Sequence, residues 1–159
     1  MKKEILDILE NDARLSKEKI GTMLGISADE VKREIEQFEQ DGVIVKYKTI
    51  IDWEKTSEEK VYAFIDVRVT PERDRGFDAI AERICQYPEV HSLYLMSGAY
   101  DFAVVVSGKS MKELAYFVAE KLAIIENVRS TTTHFILKKY KMDGVLLKKE
   151  EDKRIQMMP

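Results

Sequence analysis

Two adjacent basic side chains, Lys32 and Arg33, lie in a stretch whose apolar residues recur with helical spacing. The apolar residues Val31, Ile35 and Phe38 form one stripe, and at ~100° per residue Arg33 points away from it with Lys32 on the flank. An outward arginine can make a bidentate contact with guanine or pair with a phosphate group. This pattern favours a nucleic-acid contact. The residues that we predict to contact double-stranded DNA are Lys17, Ser27, Asp29, Lys32, Arg33, Lys46 and Lys48.

The same helix is acidic, which opposes DNA binding. Residues 28–41 carry two basic and six acidic side chains. Acids in the first turn suit the helix dipole but face phosphates poorly, and Asp29 and Glu30 are explained as helix caps. We expect weak affinity for DNA in a single unit, rescued by several units in one oligomer. The alternative is a sensing and oligomerisation module that has lost specific DNA binding.

A second group of candidate residues forms a short turn at 97–101, Ser-Gly-Ala-Tyr-Asp. Gly98 allows close approach of a ligand, and the neighbouring backbone N–H groups can hold a carboxylate. Asp101 can pair with an α-amino group, so the two features together suit an amino acid. The alternative is a β-hairpin turn in which Gly98 supplies a positive φ and Asp101 bonds its own backbone. The predicted effector contacts are Ser97, Gly98, Ala99, Tyr100, Asp101 and, further along the chain, Thr131 and Thr133.

The basic residues are positioned by a predicted helix-turn-helix at 15–42. Ser16 is a plausible N-cap of the first helix, and Ser27 with Glu30 matches the capping box that opens the second. Gly25 lies in the tight turn between them, where an unusual φ is needed. A further helix is predicted at 2–12. A plain αα-hairpin has the same caps and periodicity and is the alternative.

Residues 43–51 are β-branched and partly alternating, which predicts a strand. A strand directly after a helix-turn-helix forms a wing, with Lys46 and Lys48 on one face. The alternative is that these lysines lie on an ordinary solvated strand face.

The rest of the chain predicts the order β-α-β-β-α-β, the ferredoxin-like plan of an antiparallel sheet with two helices on one face. Strands are predicted at 61–69, 90–96, 102–107 and 131–140, and helices around 77–84 and 111–122. The uncovered sheet face is too apolar to remain exposed to water, so we expect a homodimer. The residues assigned to that face are Tyr62, Phe64, Leu93, Leu95, His134 and Ile136.

These elements define an α+β chain in four parts. A winged helix-turn-helix domain spans 1–51, a polar linker 52–60, a ferredoxin-like (ACT-like) sensing and dimerisation domain 61–141, and a tail 142–159 that is a frayed helix or disordered. Trp53, the only tryptophan, is expected to pack at an inter-domain or subunit contact.

The composition is that of a globular protein: 159 residues, 45% hydrophobic and 35% charged, with a net charge of −3. No uncharged apolar run approaches the ~18 residues of a membrane span, and the first residues are no signal peptide. A single cysteine, Cys85, excludes an internal disulfide and suits a reducing cytoplasm, where we expect the protein to reside.

With these residues laid out, the chain resembles the Lrp/AsnC family of transcription regulators over about residues 2–141. The resemblance rests on the order and spacing of several short pieces, which are residues 5–16, 24–27, 31, 35, 41–44, 97–101 and 131–133. It implies a winged helix-turn-helix, a ferredoxin-like sensing domain that dimerises through its sheet, and further assembly into tetramers or octamers. It also implies an amino acid or related metabolite bound near the turn at 97–101.

The chain departs from the family pattern at two positions. Glu34 stands where the family usually has an arginine, with Arg33 displaced by one, and Ala99 stands where an acid is common. We therefore predict a sequence-specific DNA-binding regulator that responds to an amino acid or similar effector.

An enzyme is the remaining class. Some Lrp-like chains resemble sirohaem decarboxylases, which rely on histidine and arginine. Here only His91 and His134 are present, and a lone strand histidine is more often structural than catalytic. Cys85 is expected to be a core thiol with no activating partner. No catalytic residue, metal or cofactor is predicted.

Overall fold

The computed structural model describes residues 2–147 and divides the chain into two compact units between Thr49 and Ile50. The first unit contains three helices: α1 (Lys2–Asn11), α2 (Lys17–Leu24) and α3 (Ala28–Gln40). The second contains a short 3₁₀ turn (Trp53–Lys55) followed by β1 (Val61–Val69), α4 (Asp78–Cys85), β2 (Val90–Leu95), β3 (Phe102–Gly108), α5 (Met111–Phe117), which continues as a π-helical turn (Val118–Leu122), β4 (Val128–Ile136), β5 (Lys141–Met142) and β6 (Val145–Leu146).

The three helices of the first unit share one small core. Each contributes the apolar stripe that its spacing predicts, and burial of each such side chain stabilises the unit by about 1.5–3 kcal/mol. The buried residues are Ile5, Leu9, Ile20, Val31, Ile35 and Phe38. The helix-turn-helix prediction is confirmed.

The strand predicted at 43–51 is wrong. Residues 43–52 lack regular secondary structure. Ile44 packs against the core of the three helices and the Tyr47 hydroxyl donates to Glu39 Oε1 at 2.9 Å. A strand needs a hydrogen-bonding neighbour, and among the described residues none pairs with this segment. β-Branched composition alone does not make one.

The second unit has the predicted β-α-β-β-α-β order. Its four-stranded antiparallel sheet has the strand order β2-β3-β1-β4. One face of β1 is fully buried under the helices through Ala63, Ile65 and Val67, each 0% exposed. The intervening residues Tyr62 and Phe64 lie on the opposite face, called here the open face, and are only partly buried.

Two details of the sheet differ from the sequence prediction. β4 spans 128–136 rather than 131–140, because Tyr62 near the start of β1 pairs with Ile136 and leaves later residues unpaired. Leu93 and Leu95 lie on the helix side, in register with Val104 and Phe102, instead of the open face. The cause is a register shift in β2 between Val90 and Ser92, which reverses the expected alternation.

The segment expected to begin the tail forms a small hairpin. β5 and β6 pair antiparallel, with Asp143 and Gly144 at positive φ in the turn. Frayed helix or disorder is therefore wrong for residues 142–146, and 148–159 lie outside the described residues. No helix between residues 2 and 147 is long and apolar enough to cross a membrane.

Candidate DNA interface and effector site

The N-terminus of α3 is fixed by the predicted capping box. The Glu30 backbone N–H donates to Ser27 Oγ at 3.2 Å, and the Ser27 N–H donates to Glu30 Oε2 at 2.9 Å. The Ser27 hydroxyl also donates to this carboxylate, at 2.7 Å. These hydrogen bonds lower the pKa of Glu30; the bond from the Ser27 side chain has the largest effect, and the bond from the Ser27 backbone follows. Ser27, a predicted DNA contact, is thus engaged in the cap.

A close approach of backbone segments holds α2 against the turn before α3. Gly25 has a φ of +69° and its N–H donates to the Gly21 carbonyl. A Cβ at Gly21 would lie 2.6 Å from the Ile26 carbonyl oxygen, so the turn excludes any side chain there. Sequence reasoning missed Gly21. A glycine inside a helical pattern, which costs ~1 kcal/mol relative to alanine, was the available indication of a packing role.

Most acids of α3 and its C-cap have partners inside the first unit. Among the described residues, Asp29 has no ion pair or hydrogen bond from its carboxylate. The other acids besides Glu30 make the following contacts: Glu34 with Lys2 (2.9 Å), Glu36 with Lys32 (3.8 Å), Glu39 with the Tyr47 hydroxyl (2.9 Å) and Asp41 with Gln37 (2.9 Å). Glu34, which departs from the family pattern, thus bonds across to α1.

The outward face of α3 presents Asp29 and Arg33, four residues apart and both exposed. Arg33 forms no ion pair or hydrogen bond with a described residue, whereas Lys32 is held by Glu36. Lys17 is exposed at the start of α2, and Lys46 and Lys48 are exposed on the irregular segment after α3.

The turn at 97–101 is built around Asp101. Its N–H donates to the Val67 carbonyl at 3.0 Å, and its Oδ2 accepts from the Val69 N–H at 2.8 Å, beside the irregularity where β1 leaves register with β4. Gly98 has a φ of +148°. The carboxylate therefore binds the backbone of a neighbouring strand, not of its own turn. This bond occupies one of the two oxygens that were expected to meet an amino group.

The predicted effector residues do not all lie together. Ser97, Gly98 and Ala99 are exposed, and Tyr100 contacts Phe64 edge-to-face on the open face, with ring centroids 6.2 Å apart. Thr131 and Thr133 are opposite Val67 and Ile65 in the sheet, so their side chains point to the helix side. The strand β1 separates them from β3, a spacing of about 10 Å.

The open face carries a polar side-chain contact that sequence reasoning missed. His134 Nε2 lies 3.2 Å from Asp66 Oδ2. The contact is diagonal across the two strands, since His134 pairs with Phe64 and Asp66 pairs with Thr132. The alternation of β1 placed Asp66 on the same face as Tyr62 and Phe64, which was the available indication. The Phe64 ring lies beside this contact, with its centroid 6.2 Å from that of the His134 ring.

Two of the residues considered for an enzymatic role, His91 and Cys85, lie on ordinary secondary-structure elements. His91 bonds the Ser107 hydroxyl on the neighbouring strand. Cys85 is exposed, so the expected core thiol is wrong: Ile84 takes the buried position and the next residue of α4 turns away from it. Within residues 2–147 no cluster of histidine, cysteine and acidic side chains could hold a metal ion.

Both units match known family models. Residues 1–45 match a winged helix-turn-helix DNA-binding model, and residues 62–146 match the Lrp/AsnC ligand binding domain. The chain is 51% identical to YugG of Bacillus subtilis (strain 168), an uncharacterized HTH-type transcriptional regulator, over 98% of this chain and 95% of that protein.

Solved structures share the fold. An AsnC family transcriptional regulator from Agrobacterium tumefaciens is 27% identical, with a TM-score of 0.73 over 91% of this chain and 94% of that one. The regulator NMB0573 of Neisseria meningitidis, solved with L-Met, is 23% identical, with a TM-score of 0.73 over 89% and 90%.

Proposed function

The chain belongs to the Lrp/AsnC family and is a DNA-binding transcription regulator, not an enzyme; from this premise we propose how it reads DNA and what it senses. α3 enters the major groove with Asp29 and Arg33 toward the base edges, since N-terminal residues of a recognition helix make those contacts. Arg33 is suited to guanine and Asp29 to the amino group of cytosine. The exposure of Arg33 opposite the buried stripe carries this proposal.

The acidity of α3 is compatible with this mode. The Glu30 carboxylate is used in the cap, and Glu34 is bound to Lys2 on α1. The remaining repulsion toward phosphates keeps the affinity of one unit low. Lys17, Lys46 and Lys48 supply the opposing phosphate contacts.

The lysines after α3 give a direct test. Lys46→Ala combined with Lys48→Ala should weaken binding to all DNA sequences about equally, because phosphate contacts carry no sequence information. We expect the slope of log affinity against log salt to fall by about 2, roughly 1 per lysine. The measurement is a gel shift at several salt concentrations with the fragment upstream of the protein's own gene.

Exposed lysines elsewhere provide the control. Lys109→Ala combined with Lys112→Ala, both on exposed residues of the second unit, should leave the slope unchanged. An unchanged slope in the Lys46/Lys48 variant would exclude these residues from the interface.

We further propose a homodimer through the open face, assembling into tetramers or octamers, in the cytoplasm where its DNA lies. Tyr62, Phe64 and Ile136 give this face its apolar character, and Tyr94 is 56% exposed on the same side. A second copy is the economical cover for such a surface. Two DNA-binding units in one assembly raise the effective affinity.

The turn at 97–101 is proposed to bind an amino acid or similar metabolite. The exposed backbone around Gly98 supports a carboxylate contact, and the second oxygen of Asp101 is left for an amino group. The relative solved with L-Met has the same fold, which supports an amino acid as the class to test first.

Two substitutions distinguish the role of the Asp101 charge from the role of its hydrogen bond to Val69. Asp101→Asn keeps an oxygen for the Val69 N–H but removes the charge, so it should stay folded and lose any amino-acid response. Asp101→Ala removes both and should also lower stability, by about 1–3 kcal/mol for the unsatisfied N–H. Thermal melts of each protein with a full amino-acid panel measure both effects. A response retained in Asp101→Asn would contradict the proposed amino-group contact.

The second candidate function, an oligomeric sensor without specific DNA binding, is favoured only by the acidic α3. Intact oligomers with no gel shift at low salt on several fragments would support it.

A further inference from the structure

The segment that carries Lys46 and Lys48 is anchored at its start by the end of α3. The N–H groups of Val43 and Ile44 both donate to the Phe38 carbonyl, at 2.8 and 3.0 Å. The Ile44 side chain also packs against the core of the three helices. The chain is therefore fixed to the first unit as far as Ile44, two residues before the first lysine.

Beyond Ile44 one hydrogen bond connects this segment to the rest of the described chain. The Tyr47 hydroxyl donates to Glu39 Oε1 on α3 at 2.9 Å. Within residues 2–147, no other side chain or backbone group of residues 45–49 forms a hydrogen bond or an ion pair. The Tyr47 side chain is thus the polar link between α3 and the backbone that joins the two lysines.

Packing restrains the same residues only weakly. Val45 is 89% exposed and Tyr47 is 45% exposed. A groove of about 460 Å³ lies beside the segment, and Leu6 and Leu9 of α1 also line it. Because apolar contacts do not fill this space, the hydrogen bond of Tyr47 is the main restraint on the backbone around Lys46.

The Tyr47 hydroxyl remains a donor under ordinary conditions. Partial burial, and then the bond to Glu39 and the negative charge of that residue, raise the pKa of Tyr47. The hydroxyl is therefore protonated at neutral pH. A bond from a hydroxyl to a carboxylate is also stronger than one between two neutral groups.

We propose that Tyr47 is a positioning residue for DNA binding: its bond to Glu39 holds the backbone between Lys46 and Lys48 against α3, so that both ammonium groups reach phosphates beside the recognition helix. A side chain whose backbone is already held loses less conformational freedom on binding. This inference rests on the proposed function, in which the two lysines contact phosphates. Tyr47 acts through them and makes no DNA contact of its own.

A double-mutant cycle tests the positioning role. Tyr47→Phe removes the hydroxyl and keeps the ring. Affinity for the upstream fragment and for a scrambled fragment should fall by the same factor, about two- to tenfold, as expected for one lost hydrogen bond. In a chain that already carries Lys46→Ala and Lys48→Ala, Tyr47→Phe should cause no further loss, because no lysine remains to be positioned. Fluorescence anisotropy with the full-length proteins measures these affinities.

Two substitutions at Glu39 are matched in charge and test the acceptor. Glu39→Gln and Glu39→Ala both remove the carboxylate charge, but only glutamine keeps an oxygen that can accept from the Tyr47 hydroxyl. The alanine variant should therefore bind both fragments about two- to tenfold more weakly than the glutamine variant. Tyr116→Phe, at an exposed tyrosine of α5, is the control and should leave affinity unchanged.

The outcomes separate this inference from the function on which it rests. An equal loss from Tyr47→Phe with and without the two lysines would indicate a merely structural role and overturn the proposal. Equal affinities of the two Glu39 variants would do the same. Unchanged affinity and salt dependence in the Lys46/Lys48 variant itself would refute the proposed phosphate contacts, and the inference with them.

Discussion

Replacement of Arg33 by alanine should remove most of the sequence preference of this protein while leaving its fold intact. One bidentate arginine–guanine contact is worth about 1–3 kcal/mol of discrimination. The ratio of operator to non-specific affinity should therefore fall by about ten- to a hundredfold. The fold should survive because Arg33 is exposed and forms no ion pair with a described residue. Fluorescence anisotropy with the upstream fragment and a scrambled fragment measures both affinities.

Two controls make the Arg33 result specific. Arg73→Ala removes an exposed arginine of the second unit and should leave the ratio unchanged. Far-UV circular dichroism should show equal helix content in all three proteins, since Ser27 and Glu30 still cap α3. A footprint that is identical in wild type and Arg33→Ala would refute the assignment of α3 as the element that reads bases.

Replacement of Phe64 by glutamate should convert the proposed dimer to monomers. Phe64 is central on the open face, between Val105 and His134 in neighbouring strands. A carboxylate buried there without a partner costs several kcal/mol on association, whereas in the monomer it remains in water. Size-exclusion chromatography with light scattering should give half the wild-type dimer mass. Affinity for DNA should fall by about 10²–10⁴, the gain that two linked sites provide.

A matched substitution on the other side of the sheet tests whether position matters. Tyr116 is 52% exposed on α5, and Tyr116→Glu introduces the same charge away from the open face. It should leave mass and affinity unchanged. An oligomer of wild-type mass in folded Phe64→Glu would show that the open face is not the interface.

Local patterns were enough to predict the three helices of the first unit. Ser27 and Glu30 are three residues apart, and the buried stripe of α3 repeats at helical spacing, so caps and core follow from neighbours in the chain. The strand prediction for the segment after α3 failed because strand formation is not decided by neighbours in the chain. Whether 43–51 becomes a strand depends on a hydrogen-bonding neighbour, and composition does not supply one.

In the second unit the order of helices and strands was predictable. The face of the sheet on which each strand residue lies was not predictable for every strand. Alternation in β1 correctly separated Ile65 from Phe64. The same counting failed for Leu93, because the register shift in β2 reverses the side on which later residues lie. A bulge of this kind depends on tertiary pairing that the sequence of β2 alone does not show.

The candidate sites show the same division. The turn residues at 97–101 were recognisable from Gly98 and Asp101, but the partner of Asp101, Val69, is distant in sequence. The contact between Lys139 and Tyr62 also depends on the pairing of β1 with β4, so it was not foreseeable from the sequence. Interactions between distant segments are what the structure adds.

Because Asp101 is anchored on β1, the residue that fixes the conformation of the turn differs from the residues that the turn exposes. Asp101 fixes the turn through its own bonds to Val67 and Val69, whereas Ser97 and Ala99 are exposed. Under the proposed effector role, changes at the two exposed positions can therefore alter which molecule is recognised at little thermodynamic cost. The proposed effector turn is therefore a suitable place at which to redesign ligand specificity, provided that Asp101 is retained.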